Sequence, residues 1–309
     1  MIYFYNSLHT IQHLKKPDVP GEVGLMAYEE AVFMQTNIVI GTYRFVGFYV
    51  TQYLLNQGKE VIGIDWADSE ASQYIMEEKE LEIGRNSNYI YFPINKLKLL
   101  DISQQDTVFI SLYDIQSGKL DKIDFLIGEI VSFIEKFKNG KDETPNFVLF
   151  MPIEKDVSIF QSILSSIREI DSAKIIFLPT IYGPWQSEGM SFEAGINQLG
   201  QSDIHAAITA EYTGDALYIT DFVNAMEAVL TSSSDRDIQL CSSIEDHWNK
   251  CAKLIFGESM DSFTSQTTTK INKGTIFEVQ CKMEPEEGIA LQRKHNKRLN
   301  LLKKWRKRD

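Results

Sequence analysis

Residues Asn37 to Trp66 read NIVIGTYRFVGFYVTQYLLNQGKEVIGIDW. An apolar strand (37–40) meets a turn at Gly41, an amphipathic helix runs from Phe45 to Gln57, and Gly58 stops it. A second apolar strand, 60–65, ends in the acid Asp65. Strand, glycine turn, helix, strand and terminal acid form the βαβ unit that opens a dinucleotide-binding fold. Gly41 and Gly47 hold the first and third positions of G-x-x-G-x-x-G, but the middle position is Arg44. A glycine there lets backbone approach a pyrophosphate with no side chain between. The Arg44 guanidinium either folds over the phosphates as a charged clamp or fills the space they need. The residues placed to meet a dinucleotide are Gly41, Arg44, Phe45, Gly47, Asp65 and Trp66. Asp65 reads as a ribose ligand or as a plain strand-end acid, and Trp66 as an adenine platform or as cover for the sheet edge.

The chain has 309 residues, enough for one large α/β domain or a domain with a smaller lobe. No apolar run is long enough to span a membrane, and the first residues lack the order of a secretory signal. Cys241, Cys251 and Cys281 are far apart and odd in number, which predicts a reducing, cytoplasmic setting without a disulfide framework. The histidines lack metal-ligand spacing, so no metal site is expected. A net charge of −12 excludes a protein that coats nucleic acid, and no DNA-binding motif occurs.

Further along, Tyr89–Phe92, Thr107–Leu112, Phe147–Phe150 and Lys174–Leu178 read as strands. Ser69–Leu81, Phe125–Phe137 and Val157–Ile170 read as helices between them. This alternation predicts a Rossmann-like, doubly wound parallel sheet with helices on both faces. The expected divisions are an N-terminal extension (1–35, with a short helix near Tyr28–Phe33), a Rossmann-like region (36–180), a smaller C-terminal substrate lobe interleaved with the sheet (181–291) and a basic tail (292–309). The lobe carries expected helices at Phe192–Leu199, Asp221–Leu230 and Ile244–Phe256.

Several segments together resemble the extended short-chain dehydrogenase/reductases, in particular the NAD-dependent epimerase/dehydratases of nucleotide sugars. QGKEVIGID places Asp65 where that family keeps its ribose-binding acid. TVFISLYD resembles the strand under the nicotinamide ribose, and IIFLPTIYGPWQ (Ile175–Gln186) resembles the strand running into an R-x-x-x-x-Y-G-P turn. LYITDFVNAMEAVL and EPEEGIALQ resemble two later helices. The resemblance covers about residues 37 to 291 and implies NAD as cofactor, a nucleotide or nucleotide-sugar ligand, and a homodimer through helices 125–137 and 157–170.

The same comparison exposes what is missing. The family's chemistry needs a tyrosine and, four residues on, a lysine that lowers the phenol's pKa. None of the 13 tyrosines has a lysine four residues later. Family spacing counted back from Tyr182 puts Met151 in the tyrosine position and Lys155 in the lysine position. Tyr113, Lys155 and Tyr182 remain as candidate catalytic groups. The expectation is a degenerate member that acts as a nucleotide- or dinucleotide-binding or scaffolding protein, with NAD weakly held or lost. The alternative is an active epimerase, dehydratase or reductase with atypical groups.

Residues Ile289 to Asp309 hold nine Lys or Arg and one acid, leaving about −20 on the rest of the chain. Leu291, Leu299, Leu302 and Trp305 fall along one helical side. The expectation is a helix docked on the acidic body through Leu and Trp; the alternative is a contact with an anionic partner.

Overall fold

The computed structural model describes residues 35–66, 70–116, 123–138, 144–153, 158–232, 235–257 and 271–306. The N-terminal extension through 34, its short helix, Lys155 and residues 307–309 lie outside these residues.

The first unit folds as β1 (Thr36–Ile40), α1 (Phe45–Asn56) and β2 (Glu60–Asp65), followed by α2 (Glu70–Ile83) and β3 (Tyr89–Pro93). Next come β4 (Thr107–Ser111), the short α3 (Leu112–Gln116), α4 (Ile123–Ile134), β5 (Asn146–Pro152), α5 (Gln161–Ile167) and β6 (Lys174–Leu178). The two helices expected at 125–137 and 157–170 are therefore α4 with a 3-10 turn at Glu135–Phe137, and α5 led by a 3-10 turn at Ser158–Phe160.

Beyond β6 lie β7 (Thr180–Tyr182), α6 (Ser191–Ile196), α7 (Gln201–Ala210), β8 (Ala216–Tyr218) and α8 (Ile219–Ser232). The chain then forms β9 (Asp237–Ser242), α9 (His247–Phe256), β10 (Thr275–Val279) and α10 (Pro285–Arg306). β7 and β8 pair in a small sheet of their own. β9 and β10 return to the main sheet from within the stretch 181–291. The sheet has the order β10-β9-β6-β5-β4-β1-β2-β3, every neighbouring pair parallel. Read from the other edge, its first six strands follow the 3-2-1-4-5-6 order of a doubly wound dinucleotide-binding fold, with the switch point between β1 and β4.

Side-chain alternation along each strand fills two cores. In β1, Ile38 and Ile40 face one and Val39 the other; in β5, Phe147, Leu149 and Met151 oppose Val148 and Phe150. One core sits under α4 and α5. The other lies under α1 and α8 and continues into the lobe, where Tyr182, Phe192, Tyr218 and Trp248 pack.

Helix α10 corrects the expectation for the tail. It is one helix running unbroken past residue 292. Its buried side is Gly288, Ile289, Gln292 and Asn296, with Leu299 and Leu302 half-buried. Leu291 and Trp305 point outward, with Trp305 64% exposed. Polar anchoring explains the difference. The Gln292 carboxamide accepts the Gly183 N–H (3.1 Å) and donates to Gln186 (2.8 Å) and to Glu193 (2.7 Å), while Asn296 donates to the other Glu193 oxygen (2.7 Å). A hydropathy pattern cannot mark a face that docks through amides.

Candidate functional site

The switch point sits where β1 runs into α1. Gly41 adopts φ 91°, a conformation that favours glycine. A Cβ on Gly47 would lie 2.0 Å from the Gly41 carbonyl oxygen, so Gly47 sets how closely α1 packs on the turn. Both glycines thus have a packing reason that needs no ligand.

Arg44 caps α1 in extended conformation but gives no side-chain hydrogen bond to the helix. Its guanidinium turns the other way. Nε pairs with Asp65 at 2.9 Å, a terminal nitrogen donates to the Trp66 carbonyl, and the group lies 4.2 Å from the centre of the Trp66 ring. Asp65 is fully buried, and it also accepts the backbone N–H groups of Tyr43 (2.6 Å) and Trp66 (2.7 Å). The carboxylate at the end of β2 is enclosed by its own chain. Trp66 is buried beneath the guanidinium.

The N-terminus of α1 is served by a residue the sequence reading did not single out. Asp114, on α3, accepts the Val46 N–H (3.0 Å) and the Gly47 N–H (2.9 Å). A helix N-terminus with free N–H groups is where a phosphate would sit; here a buried carboxylate stands in that place. Burial pushes the Asp114 carboxyl up, opposed by these two N–H groups, Ser111 and Lys79. Lys79 of α2 reaches in from the opposite side and donates to the Tyr43 carbonyl at 2.7 Å. Its ammonium lies between the Phe48 and Trp185 rings, and burial pushes its pKa down to about 7 against the pull of Asp114 and Asp65. No linear motif announces this cluster, because its members come from β2, α2 and α3.

Beside the turn, a cavity of about 300 Å³ is bounded by Arg44, Lys79, Trp185, Glu193, Asn296 and Lys303, among others. Trp185 takes a positive φ of 69°, unusual for a bulky side chain. It donates its indole N–H to Glu82 of α2 (3.2 Å) and meets the His295 ring edge-on.

The carboxyl ends of β4 to β6 hold the other candidates. Tyr113 is buried and its hydroxyl accepts the Ile181 N–H at 2.8 Å. Tyr182 is fully buried, with its hydroxyl 2.9 Å from His247 Nε2; His247 Nδ1 lies 2.7 Å from the Ser242 hydroxyl. Burial drives the Tyr182 pKa far above its ordinary value. Met151, in the family's tyrosine position by spacing, is fully buried in the core beneath α4 and α5. Tyr113 lines a cavity that Tyr182 does not reach. That cavity, of about 90 Å³, also borders Glu211. Burial pushes the Glu211 carboxyl up to about 7, although it accepts the Ser191 N–H and hydroxyl. Among the described residues no cluster of histidine, cysteine or carboxylate side chains could hold a metal ion. No described helix is long and apolar enough to cross a membrane.

The switch point, glycine turn and strand order define a Rossmann-like dinucleotide-binding fold. Solved structures share it. A variant of UDP-glucuronic acid 4-epimerase from Bacillus cereus, in complex with UDP-4-deoxy-4-fluoro-glucuronic acid and NAD, is 15% identical, covers 86% of this chain and 100% of its own, and superposes with a TM-score of 0.55. dTDP-glucose 4,6-dehydratase from Bacillus anthracis, in complex with NAD, is 12% identical over 85% of this chain and 97% of its own, with a TM-score of 0.54. The fold is that of the NAD-dependent epimerases and dehydratases of nucleotide sugars. No family model matches the chain, and no curated protein matches it by sequence.

Proposed function

We propose that this chain is a degenerate member of the epimerase/dehydratase family, one that has given up dinucleotide chemistry and serves as a binding or scaffolding protein. One observation carries the reading: the two groups a dinucleotide needs at the switch point are satisfied by the chain itself. Asp114 holds the α1 N-terminus, and Arg44 with two backbone N–H groups holds Asp65. A pyrophosphate entering there would meet a carboxylate in its place, and a ribose would have to break a buried ion pair. The residues present do not fit NAD. The proton relay is also without support, since Met151 is core and Tyr182 is spent on His247.

The ligand space that remains is the cavity beside Trp185. Its basic side chains Arg44, Lys79 and Lys303 stand beside Glu188 and Glu193 among aromatic and amide walls, a mixed polar lining that suits a small molecule of nucleotide or nucleotide-sugar type. We also propose a homodimer through α4 and α5, where Phe125 of α4 and Ile159 of the 3-10 turn leading into α5 are both exposed in the single chain.

Calorimetric titration with NAD, NADP and UDP-glucuronic acid tests the reading. Dinucleotide binding is expected to be weak or absent, because the α1 N-terminus and Asp65 already have partners within the chain. Tight binding of either dinucleotide that is lost in Arg44→Gly would overturn it. Turnover of a nucleotide sugar that disappears in Tyr113→Phe or Tyr182→Phe would instead establish the enzyme reading.

A further inference from the structure

Helix α10 docks with one face and, among the described residues, leaves most of the other exposed. Around the helix, Gly288, Ile289, Gln292 and Asn296 mark the side turned to the body. At 100° per residue the opposite side carries Leu291, Lys294, Lys297, Arg298, Leu301 and Trp305. Its apolar members are well exposed: Leu291 37%, Leu301 54% and Trp305 64%. From Gly288 to Arg306 the helix has seven Lys or Arg and no acid, on a chain whose net charge is −12. Two of these cations are drawn toward body acids, Arg298 to Glu82 (3.5 Å) and Lys303 to Glu188 (3.7 Å). Lys294, Lys297 and Lys304 are exposed on the outer side.

We propose that the outer face of α10 is a docking surface for an anionic lipid bilayer. The charge selects the partner's sign, because a cationic strip on an acidic body attracts an anionic surface only along that strip. The apolar residues select its kind. Leu301 and Trp305, one turn apart, gain burial only where an apolar layer lies directly beneath the anionic groups, as at the headgroup–acyl boundary. A phosphate backbone or an acidic peptide would use the lysines and leave these side chains in water. The body, near −20, is repelled by the same surface, so the contact fixes one orientation with α10 against the membrane and the sheet away from it. This surface lies on the opposite side of α10 from the amide network, and its use is independent of any ligand at the switch point.

The test is flotation of the full chain with phosphatidylcholine vesicles, with and without phosphatidylserine, at low and physiological salt. Wild type should float only with the anionic vesicles, less at higher salt. Lys294→Gln/Lys297→Gln/Lys304→Gln should lower partitioning on the order of 100-fold, at about fivefold for each cation near the surface. Leu301→Ser/Trp305→Ser should lower it at least tenfold with all charges kept. All five side chains are exposed, so the thermal midpoint should not move in either variant, and an unchanged midpoint certifies the comparison. Binding that ignores phosphatidylserine overturns the proposal. So does binding that survives the Leu301/Trp305 change, or retention on heparin alone without flotation, which would mark a polyanion contact made by charge only.

Discussion

Replacing Asp114 by alanine removes the acceptor of two backbone N–H groups at the start of α1, at 3.0 and 2.9 Å. Each buried N–H left without a partner costs about 1–3 kcal/mol. Loss of a cap on a helix N-terminus costs about 0.5–2 kcal/mol by itself, and these terms overlap. Lys79 also loses a carboxylate that favours its charged form. The expected destabilisation is therefore about 2–4 kcal/mol, read as a shift of the urea midpoint at constant slope. Asp114→Asn keeps one acceptor oxygen and should lose roughly half as much. The decisive arm adds pyrophosphate. If Asp114 occupies an anion site, the alanine variant should be restabilised by pyrophosphate, by about 2.7 kcal/mol at one hundred times its dissociation constant. Wild type should not respond. An alanine variant within about 0.5 kcal/mol of wild type would refute the reasoning; so would equal stabilisation of both proteins by pyrophosphate.

Three further outcomes follow from the packing. Gln292→Leu strands the Gly183 N–H, Gln186 and Glu193 in the interior and should lower stability by about 3–5 kcal/mol, whereas Trp305→Ala should stay within about 0.5 kcal/mol in the same denaturation assay; the reverse order would restore Leu/Trp docking. Burial holds the His247 pKa down to about 4, below its unfolded value, so the unfolded chain takes up the proton first. Stability should fall as pH drops from about 6.5 toward 4, by roughly 3 kcal/mol from this group, and His247→Gln should flatten that part of the urea-midpoint profile relative to wild type. Light scattering at micromolar concentration should give a dimer mass that Phe125→Glu reduces to the monomer; a monomeric wild type would remove the α4–α5 interface.

The parallel, doubly wound sheet was legible in the sequence as far as β6, and so was the defect at the turn; the return of β9 and β10 to that sheet was not. Apolar runs such as Val61–Asp65 and Thr107–Leu112 signal buried parallel strands because both faces are covered, and right-handed crossovers then leave little choice of topology. Gly41, Gly47 and Arg44 are neighbours along the chain, so their spacing was readable without coordinates. The partners of Arg44 were not: its guanidinium meets Asp65 and the Trp66 ring at the end of β2. The occupation of the α1 N-terminus was equally hidden, since Asp114 is 68 residues from Val46 in sequence and meets it only through the pairing of β1 with β4. The last helix shows the same limit from the other side. Its leucines and tryptophan suggested an apolar docking face, but hydropathy counts transfer from water and is blind to hydrogen-bond partners brought in from afar. Gln186, Glu193 and the Gly183 N–H supply those partners, so Gln292 and Asn296 turn inward and Trp305 is left facing solvent.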